Sequence, residues 1–346
     1  MRKQASIALL FAALSLPLAS APAHQTPPPN QSPGGAQKQP QQPTTIPVRV
    51  ELVNVIATVT DRRRNFITDL DQKDFRLLEE GKPQDISFFS RQTDLPLRVA
   101  VLLDTSNSIR DRLKFEQEAA EDFLYNTVRR KKDMAFLMTF DNEPEVIQNY
   151  TDDLALLNKA IEAQRAGGGT AFRDAIYVGA EKLMNAPIPA GENREVRRVL
   201  VVFSDGDDNL SDHALSEALE MAERAETAIY AISTNTDWLS VDTEIPKKII
   251  KSRGDQVLEE FAEDTGGRVF FPYRIDDLAQ SFQDIGNELR SQYSIAYHPS
   301  LGFSKGGFRR IKVEVDRKGL IVRARRGYFA PRTVLNPVKA PPPGEK

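Results

Sequence analysis

Oxygen-bearing side chains occupy alternate positions in the stretch LRVAVLLDTSNSIRD, residues 97–111: Asp104, Ser106 and Ser108. The apolar run before them is typical of a strand buried on both faces of a parallel sheet. An amphipathic helix pattern follows, so the three side chains belong to a loop at the carboxyl end of a strand, where open α/β sheets place ligand sites. One carboxylate and two hydroxyls are hard oxygen ligands that suit Mg²⁺, Mn²⁺ or Ca²⁺.

Helix capping is the alternative role of the same loop. Ser108 and Asp111 have the spacing of a capping box, and Ser106 is also a residue type that caps helices. From this stretch alone, capping and metal binding are about equally well supported.

Two later stretches add oxygen donors in a similar context. GGGT, residues 167–170, presents Thr170 just before a helical pattern, and its glycines allow positive φ and close backbone approach. A second apolar strand at residues 199–203 is followed by Asp205, again at a carboxyl strand end. The alternatives are an N-cap at Thr170, and at Asp205 a turn or a cap for the helix after Ser211.

Together these positions resemble the metal-ion-dependent adhesion site of von Willebrand factor A domains in order, spacing and context: Asp104, Ser106, Ser108, Thr170 and Asp205. The resemblance covers about residues 97–290. It implies that the five side chains hold a divalent cation, first of all Mg²⁺, with some ligands acting through water. It also implies that a carboxylate of a partner protein or peptide completes the coordination. Metal-dependent protein binding of the adhesion type is therefore the expected function.

Two other functions stay open at the level of sequence. A cation beside a strand-end aspartate could support phosphoryl transfer with Asp104 as nucleophile. That chemistry needs an acid or base two positions further on, where this chain has Ser106, so we expect no enzyme activity. A cell-envelope scaffold with a purely structural cation is the other alternative, and the sequence does not separate it from adhesion.

Several residues near the predicted site have secondary expected roles. Asp174, one helical turn into the helix after the glycines, is expected to accept hydrogen bonds around the site rather than bind the cation. Asp207 and Asp208 would add negative charge near a bound cation, but a solvated turn is the expected role of both. The long connection 234–254 contains the only tryptophan, Trp238, and should emerge at the same sheet edge, where long loops are often functional. The alternative, which we favour, is a flexible insertion with Trp238 packed locally. The three histidines are scattered, which argues against a zinc site.

Alternating strand and helix patterns at residues 96–290 predict an α/β fold: a doubly wound, mostly parallel sheet with helices on both faces. One antiparallel edge strand is expected after the turn at Asp141-Asn142. The flanks, residues 47–95 and 291–331, have short β-strand patterns. The first flank is too small to hold its own core, so we expect both to pack into one small β-sandwich, with the α/β domain inserted between its halves.

The flanks also resemble those of a bacterial family, the VWFA-related proteins known chiefly from Acidobacteria. The matching stretches are Asp74-Phe75, EGKPQ at residues 80–84 and RGY at residues 326–328. Members of that family are exported proteins. The resemblance implies an architecture but no firm biological role.

The amino-terminal segment predicts export. Arg2 and Lys3 precede a mostly apolar stretch and a small-residue cleavage site, so residues 1–23 are interpreted as a signal peptide, with an uncleaved anchor as the alternative. Residues 24–46 are rich in proline and glutamine and predict a disordered linker, as residues 332–346 predict a disordered tail. The chain has no cysteine, so no disulfide supports the fold. We expect a periplasmic, secreted or cell-surface protein with no integral membrane span after cleavage.

The charge balance excludes one class of partner. With 46 Lys and Arg against 49 Asp and Glu, the net charge is −3, and no broad basic field is available for nucleic acid. The oligomeric state is left open.

Overall fold

The computed structural model describes residues 52–91, 95–188, 196–235, 251–272, 275–300 and 307–330. The predicted signal peptide, linker and tail, at residues 1–23, 24–46 and 332–346, lie outside the described residues, and so does Trp238.

The elements alternate in the order that the sequence predicts. The strands are β1 (Val53–Asp61), β2 (Phe75–Glu79), β3 (Lys82–Gln84), β4 (Ile86–Ser90), β5 (Leu97–Asp104), β6 (Met134–Phe140), β7 (Pro144–Thr151), β8 (Arg197–Ser204), β9 (Thr227–Ser233), β10 (Arg268–Phe270), β11 (Gln292–Tyr297), β12 (Gly307–Val315), β13 (Leu320–Ala324) and β14 (Gly327–Ala330). The helices are α1 (Leu113–Thr127), α2 (Leu154–Glu162), α3 (Phe172–Met184), α4 (Leu215–Arg224), α5 (Arg253–Thr265) and α6 (Ile275–Leu289).

A six-stranded sheet with the order β10-β9-β8-β5-β6-β7 forms the centre. Its neighbouring strands pair in parallel, except that β7 runs antiparallel to β6 at one edge. Every residue of β5 is buried, as its uninterrupted apolar run predicts. Helices α1, α2 and α6 contribute to the core on one face, and α3, α4 and α5 to the core on the other. The predicted doubly wound α/β fold is confirmed.

The flanking strands form two antiparallel sheets that each mix both ends of the described chain. Their orders are β13-β1-β11-β4 and β14-β12-β2-β3. One apolar cluster contains Val55 of the first sheet and Leu77 of the second, so the two sheets share a core. Between them the buried Glu79 pairs with Arg309 at 3.1 Å and accepts a hydrogen bond of 2.6 Å from the Tyr297 hydroxyl. The predicted β-sandwich built from both flanks is confirmed.

Glu288 on α6 joins the sandwich to the central sheet. Its Oε1 accepts a 2.6 Å hydrogen bond from the Tyr230 hydroxyl on β9 and lies 3.4 Å from the Thr58 hydroxyl on β1. It also forms an ion pair with Arg323 on β13. A single buried carboxylate therefore connects the closing helix with both parts of the fold.

None of the helices in the described residues combines the length and the apolar character that crossing a membrane requires.

Candidate metal centre

Asp104 anchors the loop at the carboxyl end of β5. Its side chain is completely buried. One carboxylate oxygen accepts a 2.8 Å hydrogen bond from the backbone N–H of Ser106, and the other accepts one of 2.8 Å from the hydroxyl of Ser204. Ser204 ends β8, the neighbouring strand, so the two strand ends are tied together at this carboxylate. These two hydrogen bonds fix the orientation of the Asp104 carboxylate at the edge of the sheet.

The two serine hydroxyls extend this hydrogen-bonded group to Asp205. Ser106 Oγ and Ser108 Oγ lie 2.9 Å apart, and Ser108 Oγ donates a 3.1 Å hydrogen bond to Asp205 Oδ2. Neither serine caps a helix through its side chain: Ser106 precedes a short 3-10 turn without such a bond, and Arg112 is the N-cap of α1. The capping alternative therefore has no support in the structure, and four of the five predicted residues lie in one cluster.

Thr170 reaches the same sheet edge through its backbone. The loop that carries it binds the loop after β5 twice, from Gly167 N–H to Thr105 O at 2.8 Å and from Asn107 N–H to Gly168 O at 3.2 Å. Thr170 is buried, and α3 begins with Ala171 as its N-cap, so the alternative role of Thr170 as an N-cap is not observed. Among the described contacts, no hydrogen bond joins its hydroxyl to the other four side chains.

The turn after β8 holds Asp205 in place. Asp205 Oδ1 accepts a 3.1 Å hydrogen bond from the Asp207 backbone N–H, which leaves Oδ2 for Ser108. Gly206 has a φ of +77°, and a Cβ atom there would lie 2.4 Å from the Gly254 carbonyl oxygen. Only glycine fits this contact, so the turn is pressed against the first turn of α5.

Two outer aspartates fix the loop that follows. Asp174 accepts hydrogen bonds from the backbone N–H groups of Asp212 and His213, at 3.0 and 2.9 Å, which is the accepting role expected for it. These bonds hold both residues in a turn, and α4 begins only at Leu215, later than the sequence pattern indicates. Asp208 pairs with Arg173 at 3.0 Å, so the expectation of a solvated turn is wrong for this residue.

When no cation is bound, the surroundings of the site disfavour the ionised form of its carboxyl groups. Burial raises the pKa of Asp104 to about 7, and the charge of Asp205 adds to this, while the hydrogen bonds from Ser106 and Ser204 oppose it. Burial and the charges of Asp205 and Asp255 also raise the pKa of Asp207. A bound cation would remove this cost.

Glu116 is a residue near the site that our sequence analysis missed. Its side chain in the first turn of α1 is fully buried, and both carboxyl oxygens lack a hydrogen-bond partner in the described part of the chain. The signal was present in the helix periodicity, because Glu116 shares a face with Leu113 and Ala120, both of which are buried. A charged residue on the apolar face of a helix is a candidate functional group.

The donor set fits a hard divalent cation. Nowhere in the described residues do three or more His, Cys, Asp or Glu side chains converge as a metal site. The cluster instead offers two carboxylates and two serine hydroxyls, connected one to the next by hydrogen bonds. Oxygen-only sets of this kind suit Mg²⁺, Mn²⁺ or Ca²⁺ rather than zinc.

The match to one family model agrees with the fold. A family model for the von Willebrand factor type A domain matches residues 99–207, a range that contains all five predicted site residues. A search of curated proteins finds no match.

Among solved structures, the chain is similar to a von Willebrand factor type A protein from Catenulispora acidiphila. The TM-score is 0.46 and the identity 12%, over 81% of this chain and 73% of that one. It is also similar to BatB from Bacteroides thetaiotaomicron, with a TM-score of 0.42 and 16% identity over 56% of this chain and 100% of that one. For the type V pili tip protein Mfa5 from Porphyromonas gingivalis, the TM-score is 0.44 and the identity 10%, over 81% and 68%.

The family match ends at residue 207 and does not reach the carboxyl-terminal flank, so the resemblance of the flanks to the VWFA-related proteins stays a prediction. Domains of the matched type are generally protein-interaction modules rather than enzymes, and they commonly bind a divalent cation. The central sheet and the family match identify a von Willebrand factor type A domain in this chain, matched over residues 99–207.

Proposed function

We propose that this protein is an exported, divalent-cation-dependent module that binds a protein or peptide partner through a carboxylate. The cation ligands in this proposal are the five residues singled out from the sequence: Asp104, Ser106, Ser108, Thr170 and Asp205. Residues 96–290 form the binding domain, and the sandwich of residues 47–95 and 291–331 supports it. Export rests on the predicted signal peptide at residues 1–23.

The observation that carries the proposal is the unbroken hydrogen-bonded group that runs from Asp104 through the two serines to Asp205. The ends of β5 and β8, far apart in sequence, both contribute to it. Each side-chain atom available to bind a cation is a hard oxygen. Burial raises the pKa of Asp104 to about 7, which supports a site whose negative charge the protein alone compensates only in part. A cation at this point would supply that compensation and, when bound, offer positive charge to an incoming carboxylate.

The chain's own residues divide the work. Asp104 and Asp205 would neutralise the positive charge of the cation. A hydrogen bond from the Ser204 hydroxyl orients the Asp104 carboxylate, and one from the Asp207 backbone N–H orients that of Asp205. Hydroxyl ligands add no negative charge, so a site of this composition keeps an attraction for an anionic oxygen. Carboxylates on the partner are therefore the chemistry that the site selects.

Exposed groups border the site and can contact a partner. Asn107 and Arg110 are exposed on the loop after β5, and Arg110 Nη2 donates a 2.7 Å hydrogen bond to Asn107 Oδ1. Leu210 is 47% exposed, and a Cβ atom at Gly169 would lie 2.3 Å from its Cδ1. A cation, an arginine and an exposed leucine together suit a peptide that has an acidic residue and an apolar neighbour.

Calorimetric titration with Mg²⁺ and Mn²⁺ tests the cation half of the proposal. The partner half is tested on an array of acidic peptides, each paired with its Asn or Gln counterpart, in Mg²⁺ and in EDTA. We expect binding to acidic members only, and only with Mg²⁺ present. Binding that survives EDTA, or that does not distinguish the paired peptides, would favour the structural-scaffold alternative.

A further inference from the structure

Glu116 is a buried carboxyl group that the proposed cation ligands do not include. It is 0% exposed, and neither of its oxygens has a hydrogen-bond partner among the described residues. Burying an ionised carboxylate without a partner is strongly unfavourable, and buried carboxyl groups that have none call for an explanation in their surroundings.

Hydrogen bonds connect the surroundings of Glu116 with the metal centre. Arg112, one helical turn earlier, donates to the Thr234 carbonyl oxygen, and the Thr234 backbone N–H donates to the carbonyl oxygen of Ser204 at 3.1 Å. The Ser204 hydroxyl in turn donates to Asp104.

Burial raises the pKa of Glu116 well above the usual range, and the charges of Asp104 and Asp205 raise it further, against the Thr234 hydroxyl and the Arg112 guanidinium. The Thr234 hydroxyl is buried beside Glu116 but does not reach hydrogen-bond geometry with it or with another described group. Arg112 is engaged elsewhere, since it donates to the Thr234 carbonyl oxygen. The Glu116 carboxyl group and the Thr234 hydroxyl, both buried without a full hydrogen bond, therefore lie on the interior side of the predicted cation ligands.

We infer that Glu116 is the counter-charge of the cation site, a third carboxylate behind Asp104 and Asp205 that strengthens cation binding and favours ions of higher charge. This inference rests on the proposed function. Glu116 is not assigned as a direct ligand, because no three acidic side chains converge on one metal position in the described residues. Its effect is electrostatic and acts through a buried, poorly screened interior.

The test compares two cations of similar chemistry and different charge. Dissociation constants for Mn²⁺ and Tb³⁺ are measured by calorimetry on the full chain, for the parent and for Glu116→Gln. The matched control is Glu223→Gln, which removes another buried carboxylate on α4. We expect Glu116→Gln to weaken Mn²⁺ binding about tenfold and Tb³⁺ binding more, so that the preference for Tb³⁺ falls, while the control equals the parent. A merely structural role would weaken both ions alike.

The outcomes separate this inference from the proposed function. If the parent binds neither ion, the proposed cation site is wrong and the inference falls with it. If the parent binds both ions and Glu116→Gln keeps the same preference between them, only the counter-charge role is overturned. Should the glutamine variant fail to fold, Glu116→Met removes the same charge without an unpaired amide and is judged by the same ratio.

Discussion

Ser108 Oγ donates a 3.1 Å hydrogen bond to Asp205 Oδ2, although 97 positions separate the two residues in the sequence. The contact is possible because β5 and β8 are adjacent and parallel, so the loops after them leave the same edge of the sheet. It joins the second serine of the first loop to the aspartate of the later one.

Asp104→Asn tests the carboxylate at the centre of this cluster. Asparagine keeps the shape and can still accept from the Ser106 backbone, so the fold should survive. Because burial raises the pKa of Asp104 to about 7, removing its charge should leave the melting temperature in EDTA at pH 8 unchanged or higher. Mn²⁺ binding measured by calorimetry should be lost.

The matched control for this variant is Asp153→Asn at the half-buried N-cap of α2, where the side chain accepts from the Ala155 backbone. It should bind Mn²⁺ as the parent does. Equal Mn²⁺ affinity in Asp104→Asn and the parent would remove Asp104 from the site.

Thr170→Ala separates a ligand role from a stabilising one. The hydroxyl makes no capping bond to α3, so its loss should cost less than about 1 kcal/mol in the free energy of unfolding. If the hydroxyl helps to hold the cation, Mn²⁺ affinity should fall about tenfold. Thr170→Ser keeps the hydroxyl and should restore most of that affinity. A stability loss as large as the loss of binding free energy in Thr170→Ala would speak for a structural role instead.

Gly206→Ala should damage the site through the backbone. A methyl group there destabilises the fold in two ways: the φ of +77° is unfavourable for alanine, and the added Cβ would lie 2.4 Å from the Gly254 carbonyl oxygen. Gly81→Ala is the matched control, since its φ is +76° and nothing lies within 4 Å of the added atom. The control should lose about 1–2 kcal/mol in unfolding free energy from the conformation alone.

Denaturant unfolding of both glycine variants, together with Mn²⁺ titration, measures the difference. Gly206→Ala should be the less stable of the two and should also bind Mn²⁺ more weakly, because the turn that carries Asp205 must shift. If the two variants lose the same stability, the contact with Gly254 is not a constraint on the site.

Most of the fold was accessible from the sequence for a simple physical reason. A strand buried on both faces must be apolar throughout, so β5 and β8 stand out, and an aspartate that ends such a run must lie at the sheet edge. The shared sandwich was equally accessible, because the amino-terminal flank alone lacks the size for a core.

The parts that sequence patterns missed depend on contacts between distant segments. The start of α4 at Leu215 is set by Asp174, whose side chain comes from a different helix. The position of Thr170 is set by backbone bonds between two loops, which no side-chain spacing encodes. Glu116 lies on an apolar helix face, but only the folded structure shows which charges it meets there.

Glu223 makes the stability of the protein depend on pH away from the metal centre. Burial, aided by the charge of Asp264, raises its pKa from 4.5 to about 7, while Arg325 opposes the rise. The folded protein therefore holds the proton more tightly than the unfolded chain does. This contribution to stability is fully present below pH 4.5 and is lost as the pH rises through about 7.

Melting temperatures of the parent and Glu223→Gln, measured in EDTA from pH 4.5 to pH 8, test this. Glutamine carries no charge at any of these pH values. The melting temperature of the variant should therefore rise steadily relative to that of the parent as the pH increases. Glu181→Gln, an exposed change on α3, serves as control and should follow the parent. A constant difference between parent and Glu223→Gln across the range would mean that Glu223 is ionised in the folded protein throughout, with Arg325 compensating its charge.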